Sequence, residues 1–364
     1  MPLHIGAQDA TGSMSAYLKT AKDCISQMMT TGMQGSTTVC TLVFFRDFTD
    51  QFVTHTVGPT ADIGILMSAL TTMAASGGGD TPEAVSEALR AAADVVLASH
   101  MGNAACVLVL ITDAPPHGLS ALVGDSYPNG GPDGEVLDLF EQCDRLADLN
   151  VRVIAVIAGR LGSAHDLDMG TIYRSICMRA SPHDSPIVLP LQAKGHAVDM
   201  LCELVTGVAA AEHEDALLAG RIEVTELKVA EANPGLTEAE RDDKVAELLS
   251  AEGLTTTVIA TDGAALFDDA TVKELCATPS MAAAKLAITQ SQTRRGVDKA
   301  VSLPAGALGS AGFAFGGAGF ALGGGALAHA SSTAAGHLSS FTAALSSADI
   351  RRSKGKVKHT TSTM

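Results

Sequence analysis

Tryptophan is absent, aromatic residues make up 4% of the chain, and only 24 of 364 residues are Lys or Arg. Five of those basic residues and no acid fall in the last fourteen positions, which leaves the first 350 at −21 (19 basic, 40 acidic). So negative a body argues against a nucleic-acid or anionic-membrane surface. The Cys at 24, 40, 106, 143, 177, 202 and 276 are odd in number, widely spaced, without a CxxC pair and without His at metal-ligand spacing. That argues against a disulfide framework or a zinc site and for reduced, mostly buried thiols of a cytoplasmic protein. The opening MPLHIGAQDATGS carries no basic head and no apolar run of adequate length, so a signal peptide is not expected. What is present is a large acid excess, the kind of side chain a hard cation wants, and length for one large domain or two ordinary ones.

The first two hundred residues alternate between two periods. Met14, Leu18, Ala21, Ile25, Met28 and Met29 recur at three- and four-residue steps, an amphipathic helix over about 14–30. STTVCTLVFF follows as a continuous β-branched and aromatic run, a buried strand. A short strand near 51–57, a helix near 62–73 and the cluster Gly77-Gly78-Gly79 lead to PEAVSEALRAAADVVLAS, a long helix with Pro82 fit for its first position and Asp80 or Thr81 for its N-cap. ACVLVLIT (105–112), a helix over 134–149, VRVIAVIA (151–158), a helix near 168–180, PIVLPL and a helix across 195–212 continue the pattern. Such alternation predicts an α/β fold, a doubly wound, mainly parallel sheet flanked by helices. LHIGAQ, by contrast, reads as a short, weak first strand.

Ligands of such sheets bind beyond the carboxyl ends of the strands, where the strand order reverses. Three loops qualify: Asp9-Ala10-Thr11-Gly12-Ser13, Gly77-Gly78-Gly79-Asp80-Thr81-Pro82, and Ile111-Thr112-Asp113-Ala114-Pro115-Pro116-His117-Gly118. On one edge they would bring together Asp9, Thr11, Ser13, Asp80, Thr81 and Asp113, oxygen ligands only, which suits Mg²⁺ (or Mn²⁺) and not zinc. Ser13 and Thr81 also fit as helix caps, a role compatible with metal binding. Arg46 and Asp47 read either as a structural ion pair near the site or, for Arg46, as a contact to a partner; His117 reads as a turn residue or a ligand contact. Asp125, Asn129 and Asp133 could hold a second cation, but read in preference as turn formers.

The triple Asp9-x-Thr11-x-Ser13, with Asp113 after the fourth strand, resembles a von Willebrand factor A (VWFA) domain and its metal-ion-dependent adhesion site (MIDAS). GGGDTPEA, ITDAPPHG and GDSYPNGGPDG are together similar to the A domains associated with α-kinases. In the wider family the middle loop supplies a threonine to the metal; the resemblance carries that role to Asp80 first and Thr81 second. It further implies that hydroxyls touch the ion directly, that the aspartates often act through water, and that a partner's acidic side chain takes the open coordination position. The expected function is therefore a cation-dependent protein-binding adaptor, not an enzyme. The alternatives are a regulatory domain or truncated relative of an α-kinase, and a membrane-tethered module.

We expect a VWFA-like domain over 1–213, a helical extension over 214–300 with Thr237 and Glu240 as a capping box, and a Gly/Ala-rich low-complexity tail over 301–364 with a basic end. Nine Gly fall among the 24 uncharged residues from Pro304 to Leu327. That run is long enough for a membrane span, but its Gly and Ala drive insertion weakly and no aromatic belt brackets it, so a span is not the favoured reading.

Overall fold

The computed structural model describes residues 2–33, 38–99, 105–119, 124–132, 137–158, 164–191 without 183 and 185, 218–252 without 219, 255–261, 269–288 without 280 and 282, 338–344, and residues 350, 351 and 354. Six strands form one sheet: β1 (Leu3–Asp9), β2 (Val39–Phe45), β3 (Thr54–Thr60), β4 (Cys106–Thr112), β5 (Val151–Ala158) and β6 (Ile187–Leu191). Their order is β3-β2-β1-β4-β5-β6, parallel throughout except for the β2–β3 pair. The helices between them are α1 (Leu18–Met33), α2 (Ile63–Thr72), α3 (Val85–Ala98), α4 (Leu139–Asp148) and α5 (Ala164–Ala180). One core lies between the sheet and α3, α4 and α5; the other lies between the opposite face and α1 and α2. This is the doubly wound, mainly parallel α/β sheet that the alternation predicts.

The first strand differs from its expectation. β1 is central, buried along its whole length and paired to β2 and β4 on either side. Its two faces explain why it reads as weak. Leu3, Ile5 and Ala7 enter the α3 core, while His4 and Gly6 lie under α1, where a methyl on Gly6 would stand 3.0 Å from Ile25 and one on Gly32 only 2.5 Å from the His4 ring. A helix seated this close needs small residues beneath it, not the apolar run that usually marks a middle strand.

The long helix after the glycine cluster also starts later than expected. Its first residue is Val85, Ala84 holds the N-cap position without a side-chain bond, and neither Pro82 nor Asp80 or Thr81 serves it. Residues 80–84 are pinned instead by a parallel bridge between Glu83 and Pro116, with Glu83 N donating to Pro115 O (2.9 Å) and His117 N to Glu83 O (3.2 Å).

Beyond β6, helix 220–232 (α6) packs on α7 (Glu238–Ala251), whose Thr237/Glu240 capping box is present. A two-stranded antiparallel ribbon joins β7 (Thr255–Thr261) to β8 (Leu338–Ala344). The expected helix across 195–212 and the Gly/Ala run at 303–330 lie outside the described residues. Among the described residues no helix is long and apolar enough to cross a membrane.

The stretch from α8 (Asp269–Ala277) to residue 288 belongs to the sheet's own core, contributing Leu275, Met281, Ala284, Ala287 and Ile288. Arg179 of α5 clamps Asp144 with two 2.6 Å hydrogen bonds and also donates to the carbonyl of Thr278. The Met281 methyl fills the hollow over Gly118 and Gly130, both left-handed (φ +83 and +96). Truncating Met281 to Ala should therefore destabilise the sheet domain itself, by about 2–4 kcal/mol in urea unfolding followed by near-ultraviolet dichroism, as for other buried large-to-small changes. An unchanged transition would separate the segment from this core.

Candidate metal centre

Crossovers leave β1 toward β2 on one side and reach β4 on the other, so the carboxyl ends of β1 and β4 form the switch point of the sheet. Asp9 ends β1, Thr112 ends β4, and Asp113 follows. Asp9 is fully buried. Its Oδ1 accepts from the Thr11 amide (2.9 Å) and hydroxyl (2.6 Å), and its Oδ2 accepts from the Thr112 hydroxyl (2.7 Å). Ser13 Oγ donates to Asp113 Oδ1 at 2.9 Å and lies 3.1 Å from Thr11 Oγ1. Each hydroxyl has one proton and a carboxylate to give it to, so the two oxygens face each other with lone pairs. Asp9, Thr11, Ser13 and Asp113 are thus brought together as the sequence predicts.

Asp80 and Thr81 are not. Thr81 is exposed. Asp80 Oδ2 accepts from the Ser126 amide, and the side chain sits beside Asp47 and His117. The glycine turn causes this: Gly78 N donates to Asp50 (2.9 Å) and Gly79 N to Asp47 (3.2 Å), which steers the next residue away from β1. The middle loop reaches the centre through Glu83, which the sequence reading did not single out. Glu83 is 2% exposed and its Oε2 has no hydrogen-bond partner. Its Oε1 and the Thr11 β-carbon close on the space over Gly78, 3.5 and 3.6 Å from where a methyl there would stand. The bridge to Pro116 that sets its position is a long-range backbone contact, and the only local signal was an acid just ahead of an apolar run.

Among the described residues no Lys, Arg or His pairs with Asp9, Glu83 or Asp113. Burial pushes Asp9 up to about 6, against hydrogen bonds from Thr11 and Thr112 that lower it and the Asp113 charge that raises it. Burial, then the charges of Asp9 and Asp47, push Glu83 up to about 10, against a side-chain hydrogen bond with Thr11 that lowers it. Asp113 is raised too, by burial, with Ser13 opposing. A site with three acids, two hydroxyl oxygens and no positive charge is short of a cation. Its all-oxygen donor set suits a hard divalent ion and lacks the nitrogen or sulfur that zinc prefers.

A second group of acids beside the site already has its cation. Asp47, Asp80 and His117 offer ligand atoms within 4.8 Å of one another. However, both nitrogens of the buried His117 ring are engaged, Nε2 with Asp47 Oδ1 and Nδ1 with Asp125 Oδ1, each at 2.9 Å. Burial works against the imidazolium, but the hydrogen bonds to Asp125 and Asp47 outweigh it and hold His117 up at about 9. A doubly protonated ring has no lone pair for a metal. Phe48 and Tyr127 enclose it, at 5.2 and 5.1 Å between ring centres. Arg46 is likewise buried and turned inward, donating to the carbonyls of Ala10 (3.1 Å) and Ala74 (2.7 Å) and stacking over Phe52 at 4.4 Å. Arg46 and Asp47 therefore have separate partners, and neither Arg46 nor His117 presents a surface to a partner. Asp125 does form the expected turn, accepting from Tyr127 N, and also holds Gly118 N at 2.8 Å; Asp133 lies outside the described residues.

Comparison with known proteins gives three kinds of match. A protein of Acanthamoeba polyphaga mimivirus described as an ariadne-like RING finger protein, R811, is 30% identical over 175 residues, covering 45% of this chain and 16% of that one. Among solved structures, proximal thread matrix protein 1 from the mussel byssus, with a zinc-occupied MIDAS motif, aligns at 15% identity and a TM-score of 0.39, covering 57% of this chain and 46% of that one. A von Willebrand factor type A structure from Catenulispora acidiphila aligns at 13% identity and a TM-score of 0.37, covering 58% and 42%. The chain thus spans about a sixth of the curated relative and less than half of either solved chain. The family model of the von Willebrand factor A domain matches residues 7–121. Asp9, Thr11, Ser13, Glu83 and Asp113 all fall inside those bounds, so the stretch that matches the von Willebrand factor A model is the stretch that carries the centre.

Proposed function

We propose that the sheet domain is a divalent-cation-dependent protein-binding module in which Asp9, Thr11, Ser13 and Asp113 hold Mg²⁺ or Mn²⁺. The observation that carries this reading is the buried group of three acids and two facing hydroxyl oxygens without a paired cation, at the switch point of a sheet whose residues 7–121 match the von Willebrand factor A model. When bound, the ion supplies a Lewis-acidic position that a carboxylate of the partner protein occupies. The chain's own residues fix the donors. Thr112 and the Thr11 amide hold the Asp9 carboxylate from opposite oxygens, and Ser13 and Asp113 tie the β1 loop to the β4 end. The role is recognition, with no bond broken. An α-kinase association and a membrane tether find no support in the described residues or in these relatives.

The test is capture from lysate on the immobilised chain in Mg²⁺ and in EDTA, with Asp113→Ala as control. A protein retained by wild type in Mg²⁺ and lost both in EDTA and on the variant is the expected result. Identical capture in all three conditions would refute the reading.

A further inference from the structure

Glu83 stands apart from the other acids of the centre. Asp9 has three donors and Asp113 has Ser13, whereas Glu83 carries a carboxyl oxygen that is sealed from solvent and bonded to nothing. Leaving such an atom unpartnered costs on the order of 1–3 kcal/mol, more for a charged group, so a buried orphan calls for an explanation. Slack in the chain is not one: the Glu83 backbone is bonded on both sides, to Pro115 and His117 of the loop that carries Asp113. Nor is a hidden base: of the described cations beside the site, His117 spends both nitrogens on Asp47 and Asp125, and Arg46 donates to the carbonyls of Ala10 and Ala74.

We propose that Glu83 is the centre's own carboxylate ligand: its orphan oxygen meets the bound cation from within the chain and takes the place that an incoming carboxylate would use. This rests on the metal reading above and adds a condition to it. A partner's acid then binds in competition with Glu83, so the resting module is closed and engagement requires the side chain to swing off the ion. A methyl on Gly78 would stand in contact with Glu83 Oε1 (3.5 Å) and Thr11 (3.6 Å), so the glycine turn packs directly against this carboxylate.

Mn²⁺ provides the probe, because water bound to it relaxes solvent protons. On the full chain, wild type should bind Mn²⁺ with little exchangeable water and with a relaxivity that does not respond to added acetate. E83Q, an isosteric change, should bind Mn²⁺ roughly 10- to 100-fold more weakly, as loss of a supporting group at a metal site typically does, with a higher relaxivity that acetate quenches. E83D keeps the charge but retracts it by one methylene and should show the same acetate-sensitive water, so the test survives if the amide variant does not fold. Equal affinity and equal hydration in wild type and E83Q would overturn this proposal while leaving the metal site standing. Failure of wild type to bind Mn²⁺ would overturn both.

Discussion

Saturating Mg²⁺ is expected to raise the thermal unfolding midpoint of wild type by about 5–10 °C, and Asp9→Ala or Asp113→Ala to abolish the rise. An ion present at about 100 times its dissociation constant adds about 2.7 kcal/mol to the folded state, and each kcal/mol moves the midpoint of a domain of this size by about 2–4 °C. The effect should depend on pH in a definite sense. In the metal-free protein Asp9 sits at about 6, above its usual 3.8, so its contribution to stability is complete below 3.8 and lost as pH rises through 6. A bound cation favours the ionised carboxylate and removes that loss, so the Mg²⁺ shift should be small at pH 5 and large at pH 7. Superimposable melts in Mg²⁺ and EDTA would rule out the metal.

Removing the neighbouring His117 should cost more than removing the ion. Replacement by Leu leaves Asp47 and Asp125 buried and unpaired, a change that typically costs about 3–5 kcal/mol; their side chains are only 2% and 4% exposed. The pH profile identifies the pair. His117 at about 9 lies above its usual 6.5, so its stabilisation is full below 6.5 and drains away as pH rises through 9. Burial tends to raise Asp47 and Asp125, but their hydrogen bonds with His117 prevail and both end below their usual 3.8. Their contribution is present above 3.8 and is lost as pH falls below it. The difference in urea unfolding free energy between wild type and H117L should therefore be largest between about pH 4 and 6.5 and shrink on both sides of that window. Equal slopes from pH 6.5 to 9 in the two proteins would show that the ring is not charged in the fold.

Much of the architecture was legible because it follows from periodicity. CVLVLIT is apolar up to its final Thr112, and VRVIAVIA is apolar apart from Arg152; they become β4 and β5, buried on both faces. The capping box at Thr237 and Glu240 was legible for the same local reason. What could not be read depends on partners far along the chain. β1 looked weak because Gly6 and His4 are chosen to fit α1, and TTTVIAT in β7 finds its mate more than seventy residues later in β8.

The site divides along the same line. Asp9, Thr11 and Ser13 are fixed by one short loop, and their spacing alone announces them. The middle loop's contribution is decided by contacts of Gly78 and Gly79 with Asp50 and Asp47, and of Glu83 with Pro115 and His117. These turned Asp80 toward the histidine and set Glu83 beside Thr11, an exchange of places between two acids three positions apart that no local pattern could have announced.

The pairing of β1 has a kinetic side. Its register joins Leu3 to Val39 on one flank and to Cys106 on the other, so half of its hydrogen bonds close a loop of about a hundred residues, which is slow to form because the entropy of that closure comes due before its contacts do. Asp9 and Asp113 stand at the end of that seam. The middle of the sheet and the ligand set thus depend on one long-range pairing, and an ion held there would tie together two strand ends about a hundred residues apart in the chain.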